Sequence, residues 1–421
     1  MLRKTLRRPT GRAEGKISVE IYSVSLKYTS LQFFVSVIIF PMLRNIYLAS
    51  AIFATHTAAI LYINSSFLGQ YFNNSQLSFL YIIGAVINLV LLTLLPKIIS
   101  RIGLHATTLS LLVLDLISSI GLVLADGPGL IAFSFSLHQA STLMIAFMFD
   151  EYLENNLKTE EFTGRVRSVF LTISSLALVV TPSIAGALVA TSYGFRAAYS
   201  LSRVLILPLF LGVGKKMKYE NKHRTYAGVR QALALCISNK NSSAIVVCRF
   251  ILEFFYAWMV VYTALYLTTI IGFGWQEIGI MFTIMLLPFV LFEIPLGTLS
   301  DRYIGEKEII IFGFLVAAGA TALMPFATSA TFIIWTTILF MTRIGASFTE
   351  IGTESYFFKH VKEEDAGMIS LFRATRPLAY IIAPAVATIT LSMVPFSQSF
   401  FVLSAVVFCG AITALVLKDT K

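Results

Sequence analysis

The chain has 421 residues, of which 57% are hydrophobic and only 13% are charged. Soluble domains carry about 25% charged residues, so this composition excludes an ordinary soluble protein and predicts a lipid-embedded one. The net charge of +10 does not indicate a nucleic-acid partner, because the basic residues concentrate in residues 1–16 and 215–242, where they orient a membrane protein.

The N-terminal segment, residues 1–44, is a basic extension. Its apolar stretch from Leu31 to Leu43 is too short to span a bilayer. Two interpretations stay open. Residues 1–41 are either an upstream extension of a chain that could begin at Met42, or a segment that lies on the membrane surface.

Twelve apolar runs follow, each close to the 20 or so residues that a spanning helix needs. Lys and Arg concentrate in every second connection, which predicts that both termini are cytoplasmic. The predicted fold class is an all-α membrane protein with twelve transmembrane helices. The runs are residues 45–67, 77–98, 104–124, 129–152, 165–190, 193–213, 243–271, 276–298, 308–327, 331–357, 366–391 and 396–417.

The two halves of the chain repeat at an offset of about 200 residues. Pro182 corresponds to Pro384, and the Ser100–Gly103 connection corresponds to Ser300–Gly305. A parallel repeat of six helices predicts two pseudo-symmetric bundles. We divide the chain into an N-terminal bundle (45–214), a basic linker (215–242), a C-terminal bundle (243–417) and a tail (418–421).

The connection after the eighth run reads Glu293-Ile-Pro-Leu-Gly-Thr-Leu-Ser-Asp-Arg-Tyr-Ile-Gly-Glu-Lys307. It resembles the signature loop of the major facilitator superfamily, G-x-L-x-D-R-x-G-R-K, which lies between helices 2 and 3 and again between helices 8 and 9. One extra residue precedes the second glycine. The matching residues are Gly297, Leu299, Asp301, Arg302, Gly305 and Lys307.

The resemblance implies a transporter of a small-molecule substrate in the cell (inner or plasma) membrane, with lipid and possible protons as its other partners. It also implies that helices 1, 4, 7 and 10 line a central space. We expect a monomer with no enzymatic activity, no cofactor and no metal. The three cysteines have no spacing typical of a disulfide or a metal site.

Polar residues near the middle of those four helices are the candidate substrate ligands, because polar groups at this depth are costly unless they serve a function. Arg249 and Glu253 are four residues apart, so mutual neutralisation is the alternative. A packing role is the alternative for each histidine. The candidates are His56, His138, Gln139, Glu253, Tyr256 and Arg343.

Glu253, Glu350 and Glu354 are the candidates for proton coupling. Glu350 and Glu354 share one helix face, so they are either a proton relay or an inner gate that contacts Arg165 or Arg167; we favour the gate. Asp115 is predicted to bond sideways within the N-terminal bundle.

The signature loop is predicted to act in gating. The Asp301 carboxylate is expected at the N-terminus of helix 5, near Gly164 and Arg165, where free N–H groups attract an anion. Gly297, Arg302 and Gly305 complete the predicted gating set. In the first-half loop Ser100 replaces the expected aspartate.

The fifth run contains Pro182 and Gly186, a faint resemblance to the antiporter motif of drug exporters, which points to efflux. The function predicted from the sequence is therefore secondary active transport of a small organic solute by alternating access, with proton-coupled efflux as its form. A facilitative uniporter or importer of a polar nutrient, a transporter-like receptor and a membrane-embedded enzyme remain alternatives.

Overall fold

The computed structural model describes residues 41–155, 160–216, 236–237, 239–302, 305–360 and 366–418, and within them it contains helices and no strand. Most of the N-terminal extension, the linker and the tail therefore lie outside the described residues. The helices are α1 (Pro41–Leu61), α2 (Asn64–Leu68), α3 (Asn74–Leu124), α4 (Pro128–Asn155), α5 (Glu160–Val189), α6 (Phe195–Lys216), α7 (Lys240–Tyr266), α8 (Trp275–Arg302), α9 (Glu306–Leu323), α10 (Phe332–His360), α11 (Ala366–Met393) and α12 (Ser399–Ala414).

The helix α3 contains two membrane crossings that meet at Gly103. This glycine has φ 82°, which L side chains rarely adopt, and it interrupts an otherwise helical stretch of 51 residues. A straight helix of that length would extend about 75 Å, more than twice the hydrocarbon thickness of a bilayer. Leu77 and Leu122, near the two ends of α3, share one apolar cluster, so the chain reverses at Gly103.

The helices have the length and composition of membrane spans. Ten of them within the described residues are long and apolar enough to cross a bilayer, with α3 counted once. The two crossings of α3 raise this number to eleven, and α1, which has the length of a spanning helix but is not among the ten, is the twelfth by length alone. Large apolar side chains such as Leu211 and Ile333 are exposed on the outside, as a lipid-facing surface requires.

The two ends of the helices define two faces of the molecule. We call the end at which Asn155, Lys216, Arg302 and His360 lie the linker face, and the opposite end the far face. One apolar cluster joins both bundles and reaches the far face, where it includes Tyr62 and Tyr81. A second cluster, toward the linker face, consists of N-terminal-bundle residues such as Leu95 and Phe149. The bundles therefore share a continuous core at the far face.

The orientation of these faces is open to a labelling test. In a Cys409→Ser background, which removes the exposed native thiol, we expect Tyr193→Cys to react with an impermeant maleimide in intact cells. Tyr193 lies at the far face with 78% of its surface exposed. Glu220→Cys, in the basic linker, is expected to react only after permeabilisation. Labelling of position 220 in intact cells would refute the cytoplasmic placement.

Candidate functional site

The helix α7 carries a charged pair in the middle of the membrane. Arg249 and Glu253 lie one turn apart, and the Arg249 Nη2 to Glu253 Oε1 distance is 2.8 Å. The Glu253 side chain is 5% exposed and the Arg249 side chain 12%. The mutual neutralisation considered from the sequence is thus present, but Glu253 does not satisfy Arg249 alone.

Two carboxylates of α10 complete this group. Arg249 Nη2 lies 3.6 Å from Glu350 Oε1, and Arg249 Nη1 lies 3.3 Å from Glu354 Oε1. The Tyr256 hydroxyl donates a 2.8 Å hydrogen bond to Glu350 Oε2. We call Arg249, Glu253, Glu350 and Glu354 the carboxylate cluster. It brings together all three residues that the sequence predicts for proton coupling.

The carboxylate cluster is accessible from the linker face. Exposure along α10 rises toward this face, from 1% at Arg343 to 30% for the Glu350 side chain and 42% for that of Glu354. Charged side chains at this depth avoid lipid, so their exposed surface faces the space between the bundles.

Arg343 lies deeper than the cluster, against two aromatic rings. Its guanidinium carbon is 5.2 Å from the Phe255 ring centroid and 5.5 Å from that of Tyr256. Such cation–π contacts stabilise a desolvated guanidinium by roughly 2 kcal/mol. Two predicted substrate ligands, Tyr256 and Arg343, are therefore in contact.

The far-face side of this site is closed by contacts between the bundles. The Tyr62 ring lies 4.8 Å from that of Phe282, and the Ser78 and Tyr262 hydroxyl oxygens are 2.7 Å apart. The helices α5 and α8 also approach closely at Gly186, where a Cβ atom would lie 2.8 Å from the Cα of Gly279. The proline-glycine motif of α5 thus has a packing role at this crossing.

The predicted ligand His56 lies in a buried group inside the N-terminal bundle. His56 Nε2 is 2.9 Å from Asp115 Oδ2, and His138 Nδ1 is 2.8 Å from Asp115 Oδ1. Ser141 donates a 2.8 Å hydrogen bond to the same Oδ1. His56 and Asp115 are fully buried. We call His56, Asp115 and His138 the histidine triad; Asp115 bonds sideways in the bundle, as expected.

The His56 ring is held on both edges. His56 Nδ1 lies 2.8 Å from the Ser202 carbonyl oxygen and 2.8 Å from the Ser202 hydroxyl oxygen. Nε2 faces a carboxylate oxygen, although the two atoms are not aligned for a hydrogen bond. The ring is therefore fixed between α6, which carries Ser202, and α3, which carries Asp115.

The histidine triad is also the only group in the described part of the chain that brings three potential metal ligands together, with ligand atoms within 4.8 Å of one another. Ligands around zinc lie about 3.3 Å or more from each other, because each metal–ligand distance is about 2.0–2.2 Å. The N to O distances of 2.8 and 2.9 Å within the histidine triad are shorter than this separation.

The remaining predicted residues occupy separate positions. Gln139 packs so closely against Gly84 that a Cβ atom added to this glycine would lie 2.3 Å from Gln139 Oε1. This glutamine is therefore held between α3 and α4. The gating residues Gly164 and Arg165 lie in α5, and Gly297, Asp301 and Arg302 lie in α8, with their side chains outside the described part. Gly305 caps the start of α9. The predicted loop is therefore helical as far as Arg302.

Three residues near the site were not predicted: Tyr62 from the end of α1, and Arg376 and Tyr380 from α11. Tyr380 interacts electrostatically with Arg376, Glu253, Tyr62 and Arg343, so all these groups surround one region. An arginine well inside an apolar run was a signal for Arg376. The tyrosines gave no comparable signal, because most tyrosines in such a chain are packing residues.

Comparison with known proteins agrees with this architecture. Residues 245–421 match the family model of the Major Facilitator Superfamily. The crystal structure of the nucleoside transporter NupG superposes with a TM-score of 0.72 at 11% identity, over 89% of this chain and 98% of that one. An aspartate-to-alanine mutant of NupG superposes with a TM-score of 0.70 at 12% identity, over 90% and 100%. No curated protein matches by sequence.

The described helices are those of a multi-pass membrane protein that has the fold of a known transporter. The family match covers only the C-terminal part of the chain, less than half of its length, and the similarity to NupG extends the shared fold to both halves.

Proposed function

We propose that this protein is a secondary active transporter that moves a small organic solute by alternating access and couples it to protons through the carboxylate cluster. The observation that carries this proposal is the group of three carboxylates around the single guanidinium of Arg249, partly exposed toward one face. The proposed location is the cell membrane, with the linker face cytoplasmic.

The charge of the carboxylate cluster favours proton binding. With all three glutamates ionised, the cluster carries two negative charges more than Arg249 neutralises. Like charges in a poorly hydrated site repel, so uptake of a proton lowers this energy. Glu253 is the proposed primary site because it is the most buried, and Glu350 and Glu354 are the next candidates.

Alternating access would link this proton to the solute. The bundles are closed at the far face, and the carboxylate cluster is exposed toward the linker face. Opening the far face would change the hydration of the cluster and of the proposed ligands Tyr256 and Arg343. A ligand that binds one state better shifts the equilibrium, and so does a proton.

The transport activity itself can be tested in proteoliposomes, with a ligand chosen because it raises the melting temperature of the purified protein. We expect concentrative flux of this ligand under a proton gradient. Binding without flux would indicate a receptor, and equal flux without a gradient would indicate a uniporter. The α5 motif is the basis for proposing export, so ligand loaded inside the vesicles tests the direction.

Asp301 is proposed to act in gating and not in binding the substrate. The helices α5 and α8 pack against each other, which brings the end of α8 and the start of α5 to the same face. A carboxylate at a helix N-terminus is stabilised by roughly 0.3–1 kcal/mol, enough to bias two states. We expect Asp301→Asn to slow flux strongly while substrate affinity stays within about threefold, because a gate contact differs between conformations and not between ligands.

The matched control for this variant is Asp126→Asn at the far face, an exposed aspartate paired with Arg196. It should leave flux and affinity near the native values, because exposed ion pairs contribute little. A loss of binding in proportion to flux in Asp301→Asn would contradict the gating role.

A further inference from the structure

Arg343 is a buried cation whose hydrogen-bonding capacity is largely unused. The residue is 1% exposed, and its Nε and Nη1 atoms have no hydrogen-bond partner among the described residues. Its guanidinium lies near the Phe255 and Tyr256 rings and hydrogen-bonds with Tyr62, which leaves Nε and Nη1 without an acceptor. A buried donor without an acceptor is costly, so this guanidinium is suited to receive one.

The nearby carboxylates do not supply that acceptor. Glu253, Glu350 and Glu354 all pair with Arg249, and no ion pair joins them to Arg343 within the described part of the chain. Their excess negative charge balances Arg343 at longer range. Glu350 Oε2 already accepts a hydrogen bond from the Tyr256 hydroxyl.

A second guanidinium faces the same region. Arg376 is exposed although it lies on the order of 15 Å along α11 from its first residue. Tyr380, one turn further on the same face, interacts with Arg376, Glu253 and Arg343. The exposed surface of Arg376 therefore faces the space between the bundles, since lipid contact at this depth is unfavourable.

We propose that Arg343 and Arg376 form a subsite for an anionic group, so that the transported solute is an organic anion with a carboxylate or a phosphate. This proposal rests on the proposed transport function of the same site and adds the substrate class. Arg376 meets the anion from the linker face, and Arg343 binds it as the space closes around it. Both groups offer the planar donor arrangement that binds such anions with two hydrogen bonds.

The chemistry of the surroundings gives the bound anion one orientation. The carboxylate cluster repels it from the α7 side. The Tyr62 oxygen accepts from Arg343, so the hydroxyl hydrogens of Tyr62 and Tyr380 are the further donors near the guanidinium groups. Phe255 and Tyr256 offer apolar surface to the rest of the molecule.

The test is a thermal-shift and calorimetric comparison, on purified full-length protein, of three organic anions with their neutral counterparts and of one inorganic anion. The probes are benzoate with benzamide, succinate with succinamide, adenosine monophosphate with adenosine, and inorganic phosphate alone. We expect at least one organic anion to raise the melting temperature while its neutral counterpart does not. A response to inorganic phosphate would show that the anionic group is sufficient for binding. No response to phosphate, with a response to an organic anion, would show that the organic part is also needed.

Variants assign the effect to the two arginines. Arg376→Gln, an exposed position that the fold tolerates, should weaken the effective anion by about tenfold or more, and Arg343→Gln should abolish its effect. Arg343→Lys should restore part of it, and Arg196→Gln at the far face should change nothing. An unchanged anion response in Arg376→Gln would overturn the proposal even if Arg343→Gln fails to fold.

The anion subsite and the proposed transport function fail in distinguishable ways. A larger response to a neutral probe, adenosine included, or no response to any anion overturns the subsite and leaves proton-coupled flux unaffected. Anion binding that depends on both arginines, without flux in vesicles, would retain the subsite and overturn the transport function.

Discussion

Replacing Arg249 with methionine is expected to abolish transport and to lower the free energy of unfolding in detergent by about 3–5 kcal/mol, because it leaves three carboxylates without their shared cation. The substitution removes all three ion pairs of Arg249, with Glu253 at 2.8 Å, Glu354 at 3.3 Å and Glu350 at 3.6 Å. Methionine fills most of the same volume, so the loss reports charge and not packing. Denaturation and flux measurements on one preparation check both effects.

The pH dependence of this variant provides an internal control. Repulsion among the carboxylates is relieved when they bind protons, so the stability deficit of Arg249→Met should shrink as the pH falls. Arg249→Lys, which keeps the charge, should lose much less stability. A deficit equal at acidic and neutral pH, or full flux in Arg249→Met, would contradict the role assigned to the cluster.

Replacing Asp115 with asparagine is expected to have the second-largest effect on stability, about 3 kcal/mol or more. Asp115 accepts from His138 and Ser141 and faces His56, and all four groups are buried. An asparagine amide would direct N–H donors at one of these donors, and that buried donor would lose its acceptor. Thermal unfolding of the purified variant measures the loss.

The same substitution at an exposed site is the control for Asp115. Asp126→Asn removes an ion pair whose two side chains are 84% and 51% exposed, so its expected effect is below about 1 kcal/mol. Substrate affinity of the surviving Asp115→Asn protein should stay close to native, since the triad lies inside one bundle. Similar melting temperatures for the two variants would show that the triad is not a structural unit.

The fold could be predicted from the sequence because the bilayer imposes strong rules. Apolar length identifies spans, and the basic connections alternate with connections that are nearly free of Lys and Arg. Boundaries were less predictable. The helix α8 continues to Arg302, four residues past the predicted end of its run, and the first run divides into α1 and α2. Helix ends depend on local capping and tertiary contacts, which apolar counting does not detect.

The candidate site was predicted in part. Charged residues are rare in membrane spans, so the sequence identifies them, but it does not show which residues they contact. Glu253, Glu350 and Glu354 came together as a group, yet the sequence did not predict that Arg249 would contact all three. His56 and His138 met at Asp115, which comes from a helix interpreted as peripheral. Such contacts depend on the rotation of each helix about its axis, and a run that is apolar on nearly all sides leaves that rotation undetermined. Substrate binding by these residues stays a prediction.

The most direct test of proton-coupled transport is the pH change inside proteoliposomes when a ligand that stabilises the protein is added outside. In the native protein, transport of the ligand should be accompanied by movement of protons across the membrane. The Glu253→Gln variant should still bind the ligand, but it should transport neither the ligand nor protons against a gradient. Glu277→Gln, at the far-face start of α8, is the matched control and should behave like the native protein. Ligand flux in the native protein that is indifferent to the proton gradient, with no internal pH change, would contradict the account.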